Sequence, residues 1–112
     1  MGRDFRINEI ESTYKPVSYC MYKALQISEY FKDDEYSCTI KPKELASVII
    51  QLDGILDDVE ELPDKFVNEF KFYDNETEKD VREHIEEAKE KFKDALIWAV
   101  LYEQKYLSAT YL

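Results

Sequence analysis

From Val81 to Tyr106, apolar residues return at steps of three and four: Val81, Ile85, Ala88, Phe92, Ala95, Leu96, Ala99, Tyr102 and Tyr106. One face of an α-helix repeats at that interval, so the spacing predicts a helix of about 28 residues, about 42 Å long. Thr77 followed by Asp80 supplies a capping-box start, with the hydroxyl free to accept from first-turn N–H groups. A compact chain of 112 residues has a radius of gyration of only about 13 Å. The predicted rod must therefore protrude, bend or share its burial with another chain. Residues 78–94 carry a single apolar face, whereas the run from Ala95 to Tyr102 is apolar all round and demands cover on every side. Such a run belongs either at the domain centre or at a subunit interface, for which Ile97, Trp98, Leu101 and Tyr102 are the candidate contacts.

Two earlier segments share the period. Leu45, Val48, Ile49, Leu52, Ile55, Leu56, Val59 and Leu62 predict a helix that opens at Thr39–Pro42 and stops at Pro63. Gly54 within it costs about 1 kcal/mol relative to alanine, which the apolar stripe outweighs. Lys15-Pro16 opens a first helix of about 16 residues through Val17, Cys20, Met21, Ala24, Leu25, Ile27, Ser28 and Phe31. Residues 1–14 read as an arm or a short helix. Tyr36 to Ile40 is compatible with a short edge strand, but is read here as an extended connection. Residues 65–73 fit a short helix or a strand equally well. With two glycines, three prolines and only Asp53-Gly54 as a hairpin dipeptide, repeated tight turns are unaffordable and an all-β fold is disfavoured. The expected fold is all-α: one domain over residues 1–112, three to four helices in a small bundle with a long C-terminal helix, and at most one short extended segment near 36–41.

Twenty-five acidic against fifteen basic residues give a net charge of −10 and an isoelectric point near 4.6, which disfavours direct binding to nucleic acid or anionic membrane. No apolar run approaches the roughly 20 residues that cross a bilayer, and the amino terminus lacks a signal pattern, so a soluble, cytoplasmic protein is expected. Cys20 and Cys38 are too few for a disulfide framework or a four-ligand zinc site and read as free thiols, buried in the core. Catalytic signals are weak. His84, the single histidine, reads as an exposed residue on a charged helix, and with Asp80 it would give a metal only two ligands. Glu83-x-x-Glu86 and Glu61-x-x-Asp64 resemble the carboxylate pairs of all-α nucleotide pyrophosphohydrolases. Their order is reversed, however, and Pro63 breaks the helix of the second pair. No phosphate-cradling glycine loop exists. We expect no cofactor, no resident metal and no enzymatic activity.

The charge is unevenly placed. Residues 1–50 hold 7 basic and 8 acidic groups, 51–78 hold 2 and 10, and 79–112 hold 6 and 7. Carboxylates at Glu76, Asp80, Glu83, Glu87, Glu90 and Asp94 line one edge of the last helix, but Lys79, Arg82, Lys89 and Lys93 flank them. Glu78/Arg82 and Glu87/Lys91 have the favourable i, i+4 order, so this face reads as self-paired. The middle tract has no such partners nearby. Asp53, Asp57, Asp58, Glu60, Glu61 and Asp64, extended by Glu69, Asp74, Glu76 and Glu78, are the candidate partner-binding residues, and a basic surface is their complement. Neutral amides at Asp53, Asp57, Glu60, Glu61 and Asp64 should leave folding intact and weaken binding. Nine tyrosines add contact potential, with Tyr102, Tyr106, Tyr111, Leu112 and Trp98 as a second candidate surface.

In composition, though in no motif, the chain resembles phage-encoded DNA mimics that block restriction or CRISPR enzymes. The resemblance implies an inhibitor that occupies a basic, nucleic-acid-handling protein such as a nuclease, in the host cytoplasm if phage-encoded. The alternative is a structural or adaptor protein that homodimerises through the long C-terminal helix. A carboxylate-metal enzyme is the third.

Overall fold

The computed structural model describes residues 3–32, 35–57 and 62–112. Eight elements follow in order: β1 (Phe5–Ile7), β2 (Ile10–Ser12), α1 (Lys15–Ile27), β3 (Ser37–Ile40), α2 (Pro42–Asp57), α3 (Asp64–Phe70), α4 (Glu78–Leu101) and β4 (Leu107–Tyr111). The strands form one antiparallel sheet in the order β2-β1-β4-β3. The fold is therefore α+β, and the expected all-α bundle is incorrect.

Each strand has a local cause. Residues 5–12 are a hairpin rather than an arm or helix: Ile7 pairs with Ile10 across a two-residue loop, and Asn8 takes φ 50°, a left-handed conformation asparagine tolerates. The Asn8 N–H donates to the Ser108 carbonyl at 3.0 Å, while its Oδ1 accepts from the Ser108 N–H at 2.8 Å. β4 is a central strand. Phe5 faces Tyr111 on one side of it, and Ile40 faces Leu107 on the other. Residues 36–41 are thus not a connection, because β3 gains a full ladder from β4. Alternation along β4 buries Leu107, Ala109 and Tyr111, as period-2 geometry requires. Tyr111, expected at a contact surface, is 6% exposed and stacks on Tyr22 with centroids 4.5 Å apart. Burial pushes its phenol up to about 12.

The three helices predicted by periodicity are present, and 65–73 resolves as the short helix α3. α1 begins at Lys15-Pro16, and the Thr77/Asp80 capping box opens α4. Buried Ser18 donates to the Ser12 carbonyl at 2.7 Å, tying α1 to β2. Phe92 of α4 meets Phe5 of β1 edge-on at 6.0 Å, and Phe5 meets Phe31 at 6.3 Å. All elements contribute to one hydrophobic cluster. Cys20 is buried in it, whereas Cys38 is only half-buried; both are free thiols.

α1 and α4 end earlier than expected, and by the same device. Tyr30 and Glu29 donate to the Leu25 and Gln26 carbonyls, and Gln104 and Glu103 donate to those of Ala99 and Val100. Both are Schellman closures, normally built on glycine. Here Glu29 (φ 68°) and Glu103 (φ 53°) hold the left-handed position. A side chain in that conformation costs about 1–2 kcal/mol, partly offset by the entropy glycine would lose. Glu103→Gly should therefore raise stability by about 0.5–1 kcal/mol, read as the midpoint of urea unfolding. A loss of stability would contradict the assigned closure.

Candidate functional site

α4 carries the charge that distinguishes this surface. Val81, Ile85, Ala88, Phe92, Ala95 and Ala99 face the core, so the opposite arc of the helix must face water. Between these arcs lie the flanks, and the cations of α4 sit on them. Toward α2, Lys89 Nζ donates to Asp53 Oδ1 at 2.7 Å and Arg82 Nη1 donates to the Leu56 carbonyl at 2.8 Å. Toward β2, Lys91 Nζ donates to the Glu11 carbonyl at 3.0 Å rather than pairing with Glu87. Lys93 stays on its own helix, 3.6 Å from Glu90.

The outward arc is left to carboxylates. Glu83, Glu86, Glu87, Glu90 and Asp94 are all exposed, and among the described residues no lysine or arginine lies within 4 Å of Glu83, Glu86, Glu87 or Asp94. Of the two pairs expected on this helix, Glu78/Arg82 is present at 4.0 Å, whereas Glu87/Lys91 is not formed. Arg82, Lys89 and Lys91 are drawn to acceptors on neighbouring elements, which the helix's own sequence does not contain. At its last turns the arc becomes apolar at Ile97 and Leu101, with Val100 and Tyr102 on opposite flanks of the helix. Ile97, Val100, Leu101 and Tyr102 are between 57% and 71% exposed, with Trp98 half-buried against Tyr102 at 5.2 Å. Within the run 95–102, Ala95 and Ala99 are buried in the core and Leu96 and Trp98 pack against it, whereas the other four are exposed.

Of the ten middle-tract candidates, three are committed within the chain. Asp53 is paired with Lys89, whose hydrogen bond holds its carboxyl below the ordinary range. Glu78 Oε1 accepts from the Leu62 N–H and lies 4.0 Å from Arg82. Glu76, expected on the helix, precedes it and folds back. Its Oε2 accepts from the Phe72 N–H at 2.6 Å and the Tyr73 N–H at 3.1 Å. Oε1 is buried and accepts no hydrogen bond among the described residues, although His84 Nδ1 lies 3.1 Å from it. Asp57, Asp64 and Asp74 are exposed and Glu69 is half-buried. Asp58, Glu60 and Glu61 lie outside the described residues.

His84 is not the exposed residue expected. Its side chain is only 13% exposed, with Tyr14 Oη 3.5 Å from Nε2 and the two rings edge-on. A carboxylate oriented on an imidazole can serve a general base, but catalysis also needs a nucleophile or bound water and a donor set for developing charge. Among the described residues Nε2 faces only the Tyr14 phenol, at the outer limit of hydrogen bonding. Asp80, the other proposed ligand, is used in the capping box. Among the described residues no three His, Cys, Asp or Glu side chains converge as a metal site, and no helix is long and apolar enough to cross a membrane.

No protein-family model, curated protein or solved structure matches this chain. The functional reading accordingly rests on the surface itself.

Because the Lys89 hydrogen bond lowers the Asp53 pKa and raises that of Lys89, the pair favours the folded state above the ordinary carboxylate range and below the ordinary lysine range. That contribution is lost as pH falls through the depressed Asp53 value, or rises through the elevated Lys89 value. Asp53→Asn should lower stability at neutral pH, contrary to the sequence expectation that neutralising this residue is harmless. The difference from wild type should close as pH drops below about 4. A gap that does not shrink at all as pH falls below about 4 would show that the ion pair is not its source.

Proposed function

We propose that this chain is a small binding protein, not an enzyme, that inhibits a basic, nucleic-acid-handling macromolecule by charge mimicry. It presents carboxylates where its target receives backbone phosphates. The observation that carries this reading is the outward arc of α4, where five carboxylates are exposed and, among the described residues, only Glu90 has a lysine or arginine within 4 Å. From Glu83 to Asp94 the helix advances about 16 Å. Five charges over that length give about 4 Å per charge, close to the roughly 3.4 Å per phosphate along one DNA strand. Asp57, Asp64 and Asp74 add exposed negative charge from the middle tract, and the net charge of −10 speeds encounter with a basic surface. An antirestriction or anti-CRISPR protein acting in the host cytoplasm is the class that fits. The natural partner is a nuclease, and the protein does not contact nucleic acid itself.

Like charges crowded along one helix repel, and substituting them by amides costs little helix propensity. The variant carrying Glu83→Gln, Glu86→Gln, Glu87→Gln, Glu90→Gln and Asp94→Asn should therefore fold. It should bind the isolated basic partner at least tenfold more weakly, with a shallower salt dependence. Duplex DNA should compete with the wild-type chain for that partner. Simultaneous binding of DNA and this chain, or unchanged affinity of the amide variant, would reject mimicry by α4.

A further inference from the structure

We infer that the free edge of β3 pairs with the same edge of a second copy, antiparallel about a two-fold axis at Cys38, and so extends the sheet across a homodimer. The Tyr111 N–H donates to the Tyr36 carbonyl at 2.8 Å, which fixes the alternation of the ladder between β3 and β4. Cys38 and Ile40, opposite Ala109 and Leu107, turn their main-chain groups toward β4, while Ser37 and Thr39 turn theirs outward. Among the described residues nothing bonds those two N–H and two C=O groups. The other edge of the sheet is protected. There β2 is three residues long, and Lys91 Nζ caps the outward Glu11 carbonyl at 3.0 Å. Charges, prolines and covering groups are what ordinarily keep an edge from templating another strand. Ser37-Cys38-Thr39-Ile40 has neither charge nor proline.

The occupant is a second copy because this edge complements itself, and in one register only. The next outward positions are already engaged: the Glu35 N–H donates to the Lys32 carbonyl at 3.1 Å, and the Lys41 N–H donates to Glu44 Oε1 at 2.9 Å. A symmetric pair centred on Ser37 or Thr39 would aim free groups at these occupied ones. Centred on Cys38, it sets Ser37 against Thr39 of the other copy twice and satisfies every free group on both strands, as an isologous contact can. Ser and Thr side chains facing each other across strands add favourable contacts. At the axis the two Cys38 Cα atoms stand about 4.5 Å apart, a spacing that a small side chain accommodates. In the same register Glu35 falls opposite Lys41 of the other copy. Both are exposed, so opposite charges meet at each end of the pair.

A contact built on one strand pair is smaller than a standard interface, and the association is correspondingly weak. Sedimentation of the full chain from about 10 µM to about 1 mM should show a monomer–dimer equilibrium. Over that range the Ser37 and Thr39 amides, read by hydrogen exchange, should become protected. Thr39→Pro removes an N–H that β4 does not use, so it should keep the far-ultraviolet circular dichroism spectrum and abolish the dimer. Lys41→Glu, which leaves the strand's backbone untouched, should weaken dimerisation several-fold, and adding Glu35→Lys should restore it. A wild-type chain still monomeric at about 1 mM, or Ser37 and Thr39 amides that exchange as fast at high concentration as at low, would overturn the proposal. A dimer that survives Thr39→Pro would overturn it too, by placing the contact elsewhere. Failure of Glu35→Lys to rescue Lys41→Glu would contradict the register. None of these readouts involves the basic partner, so the dimer and the mimicry stand or fall separately.

Discussion

α4 can bury only one face, and the rest of the surface follows from that constraint. Its 24 residues extend about 36 Å, nearly the 39 Å length of the molecule, so the predicted rod lies along the long axis instead of projecting from it. Ala88, Ala95 and Ala99 are at most 1% exposed, and such small side chains allow close approach of the packed elements. Phe92 fills the space toward Phe5 in the sheet. With one arc used in this way, the opposite arc has nothing left to meet but solvent or another molecule.

The flanks determine which charges that arc retains. A lysine on the edge of a buried helix has a long apolar stem that lies along the neighbouring element and a cationic head that seeks an acceptor there. Lys89 finds Asp53, Lys91 the Glu11 carbonyl and Arg82 the Leu56 carbonyl. Carboxylates on the outward arc are too short and too far round the helix to follow. Part of the expected pairing is thereby exchanged: Asp53 and Glu76 of the middle tract gain partners, and Glu87 of α4 loses the Lys91 that spacing assigned to it. The negative surface remains, but its best-defined part moves to α4.

The periodic elements were legible because the 3.6-residue repeat is a local property. Leu45 to Leu56 marks α2, and Val81 to Ala99 marks α4. The sheet was not legible, because its strands are three to five residues long and pair across most of the chain. Ile7 meets Ala109, a contact no sequence window contains. Leu107 to Tyr111 does alternate, but directly after a helical repeat that includes Tyr106, and the helix stop between them is hidden. Glutamate, not glycine, occupies the left-handed position at Glu103. Within the candidate site, i, i+4 spacing identified Glu78 and Arg82, yet could not reveal that Lys89 and Lys91 prefer acceptors on α2 and β2. His84 was misplaced for the same reason, since both Glu76 and Tyr14 reach it from outside the helix.

The account depends on the carboxylates of α4 being uncompensated in the folded chain. The most direct measurement is the salt dependence of unfolding for a variant carrying Glu83→Gln, Glu87→Gln and Asp94→Asn, compared with wild type. If these groups repel one another unscreened, the variant is the more stable at low ionic strength, and its advantage fades as salt is raised toward 1 M, where the Debye length falls to about 3 Å. A variant less stable than wild type at low salt would mean that the carboxylates are engaged in attractive pairs, and the free acidic face would be contradicted.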